Sequence, residues 1–126
     1  MRIPVFFAAI AMSALAPAAL MAHVQLTDST PAAGAQAKAP KEITLTFSQP
    51  VDPATAAASI IMTAMPGMAN HGEMPIRNFT ATWMDEGKTM ILTLKKPLPT
   101  GTYEVRWQAA AADGHGMSGT VTFDVR

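Results

Sequence analysis

Short runs of alternating apolar and polar residues, separated by proline and glycine, constrain the fold of this chain more than any other feature. The clearest runs cover residues 43–47, 103–107 and 121–125, in which large apolar side chains alternate with polar ones. A period of two places successive side chains on opposite faces of a β-strand. Ten prolines are also hard to accommodate in long helices. The pattern therefore predicts an all-β chain.

The number of such runs indicates the architecture. A further strand is predicted at residues 90–94, and weaker candidates cover residues 24–26, 59–62 and 79–83. Turn signals rich in Pro, Gly and Asp separate these runs, and only the alanine-rich residues 53–59 are expected to form a helical turn. About seven short strands in about 100 residues predict a two-sheet Greek-key β-sandwich.

The start of the chain has the pattern of an export signal. A positively charged start precedes residues 3–15, which are almost wholly apolar, and small residues follow. A membrane anchor is the alternative, but Pro17 interrupts the apolar run and no positive cluster follows it. We therefore predict a cleaved signal peptide at residues 1–22 and one soluble β domain at residues 23–126.

Two cleavage positions fit this signal. Cleavage after Ala18, at a strict Ala-x-Ala pattern, leaves Ala19 first, whereas cleavage after Ala22, a looser match, leaves His23 first. The choice has a chemical consequence, because the free amine and ring of an N-terminal histidine together chelate one metal ion. Under the first alternative, His23 is an ordinary side chain in a frayed N-terminal tail.

Composition excludes several classes of function. The chain has no cysteine, which excludes disulfides, thiolate metal sites and a cysteine nucleophile. Nine basic residues balance nine acidic ones, so the chain lacks the broad basic field that nucleic-acid binding requires. Methionine is enriched, with ten residues, and Met84, Met90 and Met117 are expected to pack.

Four methionines and a histidine lie close together between residues 62 and 75. They are Met62, Met65, Met68, His71 and Met74. Two prolines, two glycines and an asparagine predict a surface loop, where packing gives methionine little benefit, although Met62 can also end the preceding strand and be buried. Thioether sulfur is a soft, neutral donor that suits Cu(I). The segment predicts a soft-metal site, with core packing as the alternative.

A carboxylate and an imidazole lie two residues apart at Asp113 and His115. In an extended backbone both side chains point to one side, where they can ligate one metal ion together. Nitrogen and oxygen donors of this kind suit Cu(II). The alternative is a turn in which Asp113 bonds its own backbone beside Gly114.

In order and spacing, these segments resemble the CopC/PcoC family of periplasmic copper-binding resistance proteins. The matching segments are His23, residues 30–34, residues 43–48, the methionine-rich segment, residues 97–107, residues 113–115 and residues 119–123. The resemblance covers essentially all of residues 23–126. It implies a cupredoxin-like (Ig-like) Greek-key sandwich or barrel that resides in the periplasm.

The resemblance also implies two copper sites at opposite ends of the domain. The implied Cu(I) ligands are drawn from Met62, Met65, Met68, His71 and Met74, and not all bind at once. The implied Cu(II) ligands are the amine and ring of His23 together with Asp113 and His115, which favours cleavage after Ala22. The sequence departs from the family at Gln49, where family members often carry an acidic residue, so one carboxylate near Cu(II) is absent.

The function implied by the resemblance is that of a copper carrier without enzymatic activity, serving copper resistance and homeostasis. Such a carrier passes copper to an inner-membrane copper transporter of the CopD type or to another periplasmic copper protein. Two alternatives belong to other classes. One is a metal-free sandwich module that binds protein partners. The other is a histidine-brace copper oxygenase, suggested by an N-terminal histidine beside a second histidine.

Overall fold

Two β-sheets packed face to face form the domain in the computed structural model, which describes residues 24–68, 72–111 and 114–126. The predicted signal, His23, His71 and Asp113 lie outside the described residues. The strands are β1 (Leu26–Thr30), β2 (Gln36–Ala37), β3 (Glu42–Phe47), β4 (Ala57–Ala64), β5 (Met74–Ile76), β6 (Phe79–Met84), β7 (Thr89–Leu94), β8 (Gly101–Ala110) and β9 (Gly116–Val125).

The connections between strands pass repeatedly from one sheet to the other. One sheet has the order β1-β3-β7-β6, and the other has the order β2-β9-β8-β4-β5. The pairing is antiparallel throughout, except that β2 runs parallel to β9. Such interleaved connections are typical of Greek-key sandwiches. The predicted all-β sandwich is therefore confirmed. In the part of the chain that the structure describes, no helix is long and apolar enough to cross a membrane.

Seven of the strands correspond to those predicted, with shifted boundaries at weak signals. β1 begins where the predicted strand ends, at Leu26, and its pairing with β3 is irregular between Leu26 and Asp28. The predicted helical turn is confined to Pro53–Thr55, because the Asp52 carboxylate accepts from the Ala54 N–H and β4 starts at Ala57. A second 3-10 turn, which was not predicted, covers Asp85–Gly87. The two strands missed, β2 and β5, contain two and three residues, too few to show alternation.

The alternating residues of the three clearest runs form the core, as predicted. Ile43, Leu45 and Phe47 are buried in β3, and the inward residues of β8 and β9 are buried opposite them. Phe47 and Trp107 meet edge to face across the two sheets, with ring centroids 5.1 Å apart. Tyr103 stacks on Phe123 with a centroid separation of 5.8 Å. These aromatic contacts connect β8 to β3 in the facing sheet and to β9, its neighbour in the same sheet.

Trp107 is accommodated only because its cross-strand partner on β9 is glycine. Gly119 pairs with Trp107, and a β-carbon at Gly119 would lie 2.9 Å from Cζ2 and 3.0 Å from Nε1 of the indole. Real β-carbons almost never approach other heavy atoms so closely, and the indole is packed against Phe47. The indole therefore cannot move aside without disturbing the core.

Tyr103 is fully buried, and its hydroxyl is hydrogen-bonded to the backbone. The phenolic O–H donates to the carbonyl oxygen of Pro99 at 2.7 Å, which ties the start of β8 to the preceding turn. Burial raises the pKa of Tyr103 to about 12, because the phenolate is poorly solvated in the core. Folding therefore favours the protonated form of this side chain.

The glycine under Trp107 gives a first prediction. Gly119→Ala is expected to lower the free energy of unfolding by about 1–3 kcal/mol, because the added methyl group overpacks the indole. Urea denaturation measures this change. Gly116→Ala is the matched control on the same strand, since its β-carbon would make only ordinary contacts of 3.6 and 3.8 Å. Equal unfolding midpoints for the two variants would contradict the packing argument.

Alkaline titration of Tyr103 gives a second prediction. The folded pKa of about 12 exceeds the ordinary value of 10.0, so this stabilisation is present below pH 10 and is lost as pH rises through 12. Tyr103 is the only tyrosine, so tyrosinate absorbance reports it alone. Tyr103→Phe is expected to lose about 1 kcal/mol at neutral pH and to show a flatter alkaline decline in stability. A phenol that titrates near pH 10 in the folded protein would contradict this prediction.

Candidate metal centres

Strand β8 separates the two groups of candidate ligands. At one end Gly101 pairs with Val125, and at the other Ala110 pairs with Gly116. Ten residues rising about 3.4 Å each place these ends about 30 Å apart. We call the end at Gly101 and Val125 the methionine end, and the end at Ala110 and Gly116 the histidine end.

Met62 and Met74 are direct neighbours at the methionine end. They form a register pair between β4 and β5, so their side chains lie on the same face of the sheet. Met62 is only 3% exposed, and its Cε lies 3.2 Å from the position of a β-carbon at Gly101. Met74 lies on the edge strand and is 44% exposed. One thioether of the pair is therefore buried in the core, and the other is exposed to solvent.

The segment between these strands turns sharply after Met65. Met65 is half-buried and packs against the core, and its carbonyl accepts from the Met68 N–H at 3.0 Å. Gly67 has a φ of +77°, which favours glycine in this turn. Met68 is 54% exposed. The turn therefore directs one thioether inward and presents the next to solvent.

The predicted loop over residues 62–75 is wrong at both ends. Met62 belongs to β4, and Met74 and Pro75 belong to β5. Proline is tolerated there because β5 lies at the sheet edge, where one side of the strand needs no ladder donor. The interpretation that Met62 belongs to the preceding strand and is buried is confirmed, although the strand continues to Ala64. His71 lies outside the described residues.

Arg106 on β8 holds the segment just before Met74 through Glu73 and is itself held by Glu104 on the same strand. Its Nη1 and Nη2 donate to Oε1 and Oε2 of Glu73 at 3.3 and 2.5 Å, and its Nε donates to Oε1 of Glu104 at 3.0 Å. The hydrogen bond and the charge of Arg106 hold the pKa of Glu73 below its ordinary value. The same carboxylates raise the pKa of Arg106. Sequence reasoning missed this contact, which joins residues 33 positions apart.

The N-terminal part of the described chain is anchored at the histidine end. Val24 is fully buried, and Gln25 exchanges two hydrogen bonds with Ser48, at 2.8 and 3.0 Å. The Asp52 N–H donates to the Ala110 carbonyl at 3.0 Å, which places this segment beside the end of β8. Gln49 lies between these anchors along the chain.

A turn joins β8 to β9 next to His115. The Gly114 N–H donates to the Ala111 carbonyl at 2.9 Å, and Gly114 has a φ of +85°. The extended backbone that would place Asp113 and His115 on one side is therefore wrong at Gly114, because this φ lies in the left-handed region. Asp113 lies outside the described residues, and His115 is exposed. The alternative of a turn is confirmed for the backbone.

Two methionines outside the loop do not pack as expected. Met90 is buried in the core, but Met84 and Met117 are 53% and 39% exposed. In the described part of the chain, the exposed large hydrophobic side chains are all methionines, namely Met68, Met74, Met84 and Met117. Four thioethers are therefore accessible to solvent, two in the methionine-rich segment and two on β6 and β9.

Similarity to known proteins extends over nearly the whole chain. The family model described as CopC domain matches residues 26–126. Copper resistance protein C of Pseudomonas syringae pv. tomato is 40% identical over 124 residues, covering 98% of this chain and 94% of that protein. Copper resistance protein C of Escherichia coli is 39% identical over 106 residues, covering 84% and 83% respectively.

The fold is similar to that of a solved relative. The crystal structure of PcoC, a methionine-rich copper resistance protein from Escherichia coli, matches with a TM-score of 0.75 and 34% sequence identity. The match covers 83% of this chain and 100% of that one. Sequence and structure therefore agree on the same relatives.

Proposed function

Because the chain belongs to the CopC family, a family of copper resistance proteins rather than enzymes, we propose that it is a periplasmic copper carrier. It is exported by the signal at residues 1–22, which cleavage after Ala22 removes. It binds Cu(I) at the methionine end and Cu(II) at the histidine end. The observation that supports the proposal is the position of the described candidate ligands: Met62 pairs with Tyr103 near one end of β8, and His115 directly precedes β9 next to the other end.

The methionine end supports binding of Cu(I). Met68 and Met74 are exposed, Met65 is half-buried against the core, and the buried Met62 is the register partner of Met74. His71, in the same segment, adds a nitrogen donor. Thioethers are neutral soft ligands that need no deprotonation, so they bind Cu(I) over a wide pH range. We propose that Cu(I) takes its ligands from these five side chains.

The histidine end supports binding of Cu(II). His23 is joined directly to Val24, whose burial fixes the start of the domain at this end. We infer that cleavage after Ala22 leaves a free amine and an imidazole on the residue before Val24, and that these donors act together with Asp113 and His115. We propose these three residues as the Cu(II) ligands. Gln49 replaces a carboxylate there and leaves the site with one fewer anionic donor.

The separation of the two ends determines how the carrier works. At about 30 Å, no single ion can contact both donor sets, so each oxidation state is held independently. Exposed thioethers allow a partner to take Cu(I) by exchanging ligands one at a time. We propose that the recipient is an inner-membrane copper transporter of the CopD type or another periplasmic copper protein. Family membership favours this function over a metal-free module or a copper oxygenase.

Substitution of the loop methionines tests the Cu(I) site. The triple variant Met65→Leu, Met68→Leu, Met74→Leu is expected to lose at least about tenfold in Cu(I) affinity, because leucine keeps the volume and removes the sulfur. Competition with a chromophoric Cu(I) chelator measures the affinity. Met84→Leu is the matched control, since Met84 is as exposed as Met68 but belongs to β6, outside the methionine-rich segment. If the triple variant keeps full Cu(I) affinity, the loop assignment is wrong.

The N-terminus tests the Cu(II) site. Intact mass of the secreted protein is expected to place His23 first. One alanine added before His23 should weaken Cu(II) binding by about tenfold, because the amine and ring then no longer chelate together, while Cu(I) binding is unchanged. A mature chain that begins at Ala19 and binds Cu(II) as tightly as a chain that begins at His23 would refute this assignment.

A further inference from the structure

Arg106 forms an ionic clamp that is separate from the proposed copper ligands. We call Arg106, Glu73 and Glu104 the Arg106 clamp. The guanidinium uses both terminal nitrogens on the Glu73 carboxylate and its Nε on Glu104. Fork-on-fork pairing of this kind restricts orientation as well as distance. The clamp therefore fixes the direction from which Glu73 approaches the sheet.

The clamp joins parts of the sheet that share no backbone hydrogen bonds. Arg106 lies on β8, and Glu73 directly precedes β5, with β4 between these two strands. β5 has only three residues, and β4 is its one neighbour in the described sheet. So short an edge strand gains little from its own pairing. The ion pair gives the segment at Met74 a second attachment, directly to the central strand.

Ile61 lies on the same face of the sheet as the clamp. It alternates with the inward Ile60 and Met62, and it pairs in register with Glu104 on one side and Pro75 on the other. Paired residues share a face, so Ile61 lies on the outer face between the two strands that the clamp connects. It is nevertheless buried, although it is outside the core cluster. Its burial indicates that side chains are ordered above this part of the sheet.

The position of Glu73 determines the position of Met74. Adjacent residues in extended chain point to opposite faces, so a Glu73 side chain held on the outer face turns Met74 toward the face of Met62. Met62 and Met74 are the register pair at the methionine end. Holding Glu73 therefore holds one thioether beside the other before any metal arrives.

We propose that Arg106 is a positioning residue for the Cu(I) site, which it preorganises by holding the Glu73–Met74 segment against the sheet. This inference rests on the proposed function of the methionine end. Arg106 does not touch the metal ion. It reduces the conformational freedom that the segment must lose when its thioethers close around Cu(I), and lower ordering cost appears as higher affinity.

The sign of the effect distinguishes this inference from simple electrostatics. If charge alone mattered, removing Arg106 would raise Cu(I) affinity, because a positive charge near the cation is lost and the negative charges of Glu73 and Glu104 are no longer neutralised. The clamp predicts the opposite, because the segment becomes free. A loss of Cu(I) affinity on removing Arg106 therefore indicates positioning.

Arg106→Gln in the mature protein tests the clamp. Cu(I) affinity, measured by chelator competition, is expected to fall about two- to fivefold, because an exposed ion pair contributes only modestly to ordering the segment. Cu(II) affinity at the histidine end and the melting temperature should change little, because exposed ion pairs contribute little to global stability. Lys88→Gln is the matched control, since it removes one exposed positive charge outside the clamp and should leave Cu(I) affinity unchanged.

A double-mutant cycle gives a second, independent test. Glu73→Gln should reduce Cu(I) affinity as Arg106→Gln does, and the double variant should lose no more than either single variant, because both break one contact. Additive losses, or an Arg106→Gln variant that binds Cu(I) as wild type does, overturn the clamp and leave the proposed function standing. Parallel loss of Cu(I) affinity, Cu(II) affinity and melting temperature also overturns it. A wild-type protein that binds no Cu(I) overturns the proposed function and the clamp together.

Discussion

The pairing of β8 with both of its neighbours is the constraint on which the rest of the structure depends. Its ten residues are bonded to β9 on one side and to β4 on the other. Its inward side chains, Tyr103, Val105 and Trp107, lie in the core, while its outward face carries Arg106. A central strand held in this way cannot slip by one residue without exchanging its core and solvent faces. Both ends of the domain therefore keep fixed positions relative to each other.

The sequence predicted those parts of the fold in which one strand contains enough residues to show its own pattern. Residues 43–47, 103–107 and 121–125 alternate because each has one buried and one solvent-facing side. β1 was placed too early because the irregularity between Leu26 and Asp28 disrupts its alternation. β5 was missed because its strand character comes from pairing with β4 rather than from its own three residues.

The sequence predicted which types of ligand lie close together along the chain, but not how their side chains are arranged in space. The clustering of methionine and the spacing of Asp113 and His115 are local facts, visible without a fold. The pairing of Met62 with Met74 requires the register of a hairpin, and the contact between Arg106 and Glu73 requires three strands. The exposure of Met84 was equally invisible, since methionine is as common in cores as on binding surfaces. Long-range pairing is the information that the local pattern lacks.

The two chain termini of the domain lie at opposite ends of the sandwich. Val24 is buried at the histidine end, whereas Val125 pairs with Gly101 at the methionine end and the following Arg126 N–H donates to Ala37. Any sequence fused to the C-terminus therefore emerges at the methionine end, and any sequence joined before Val24 emerges at the histidine end. Two copies joined head to tail would bring the methionine end of the first next to the histidine end of the second. A tandem fusion would thus alternate the two groups of candidate ligands along the fused chain.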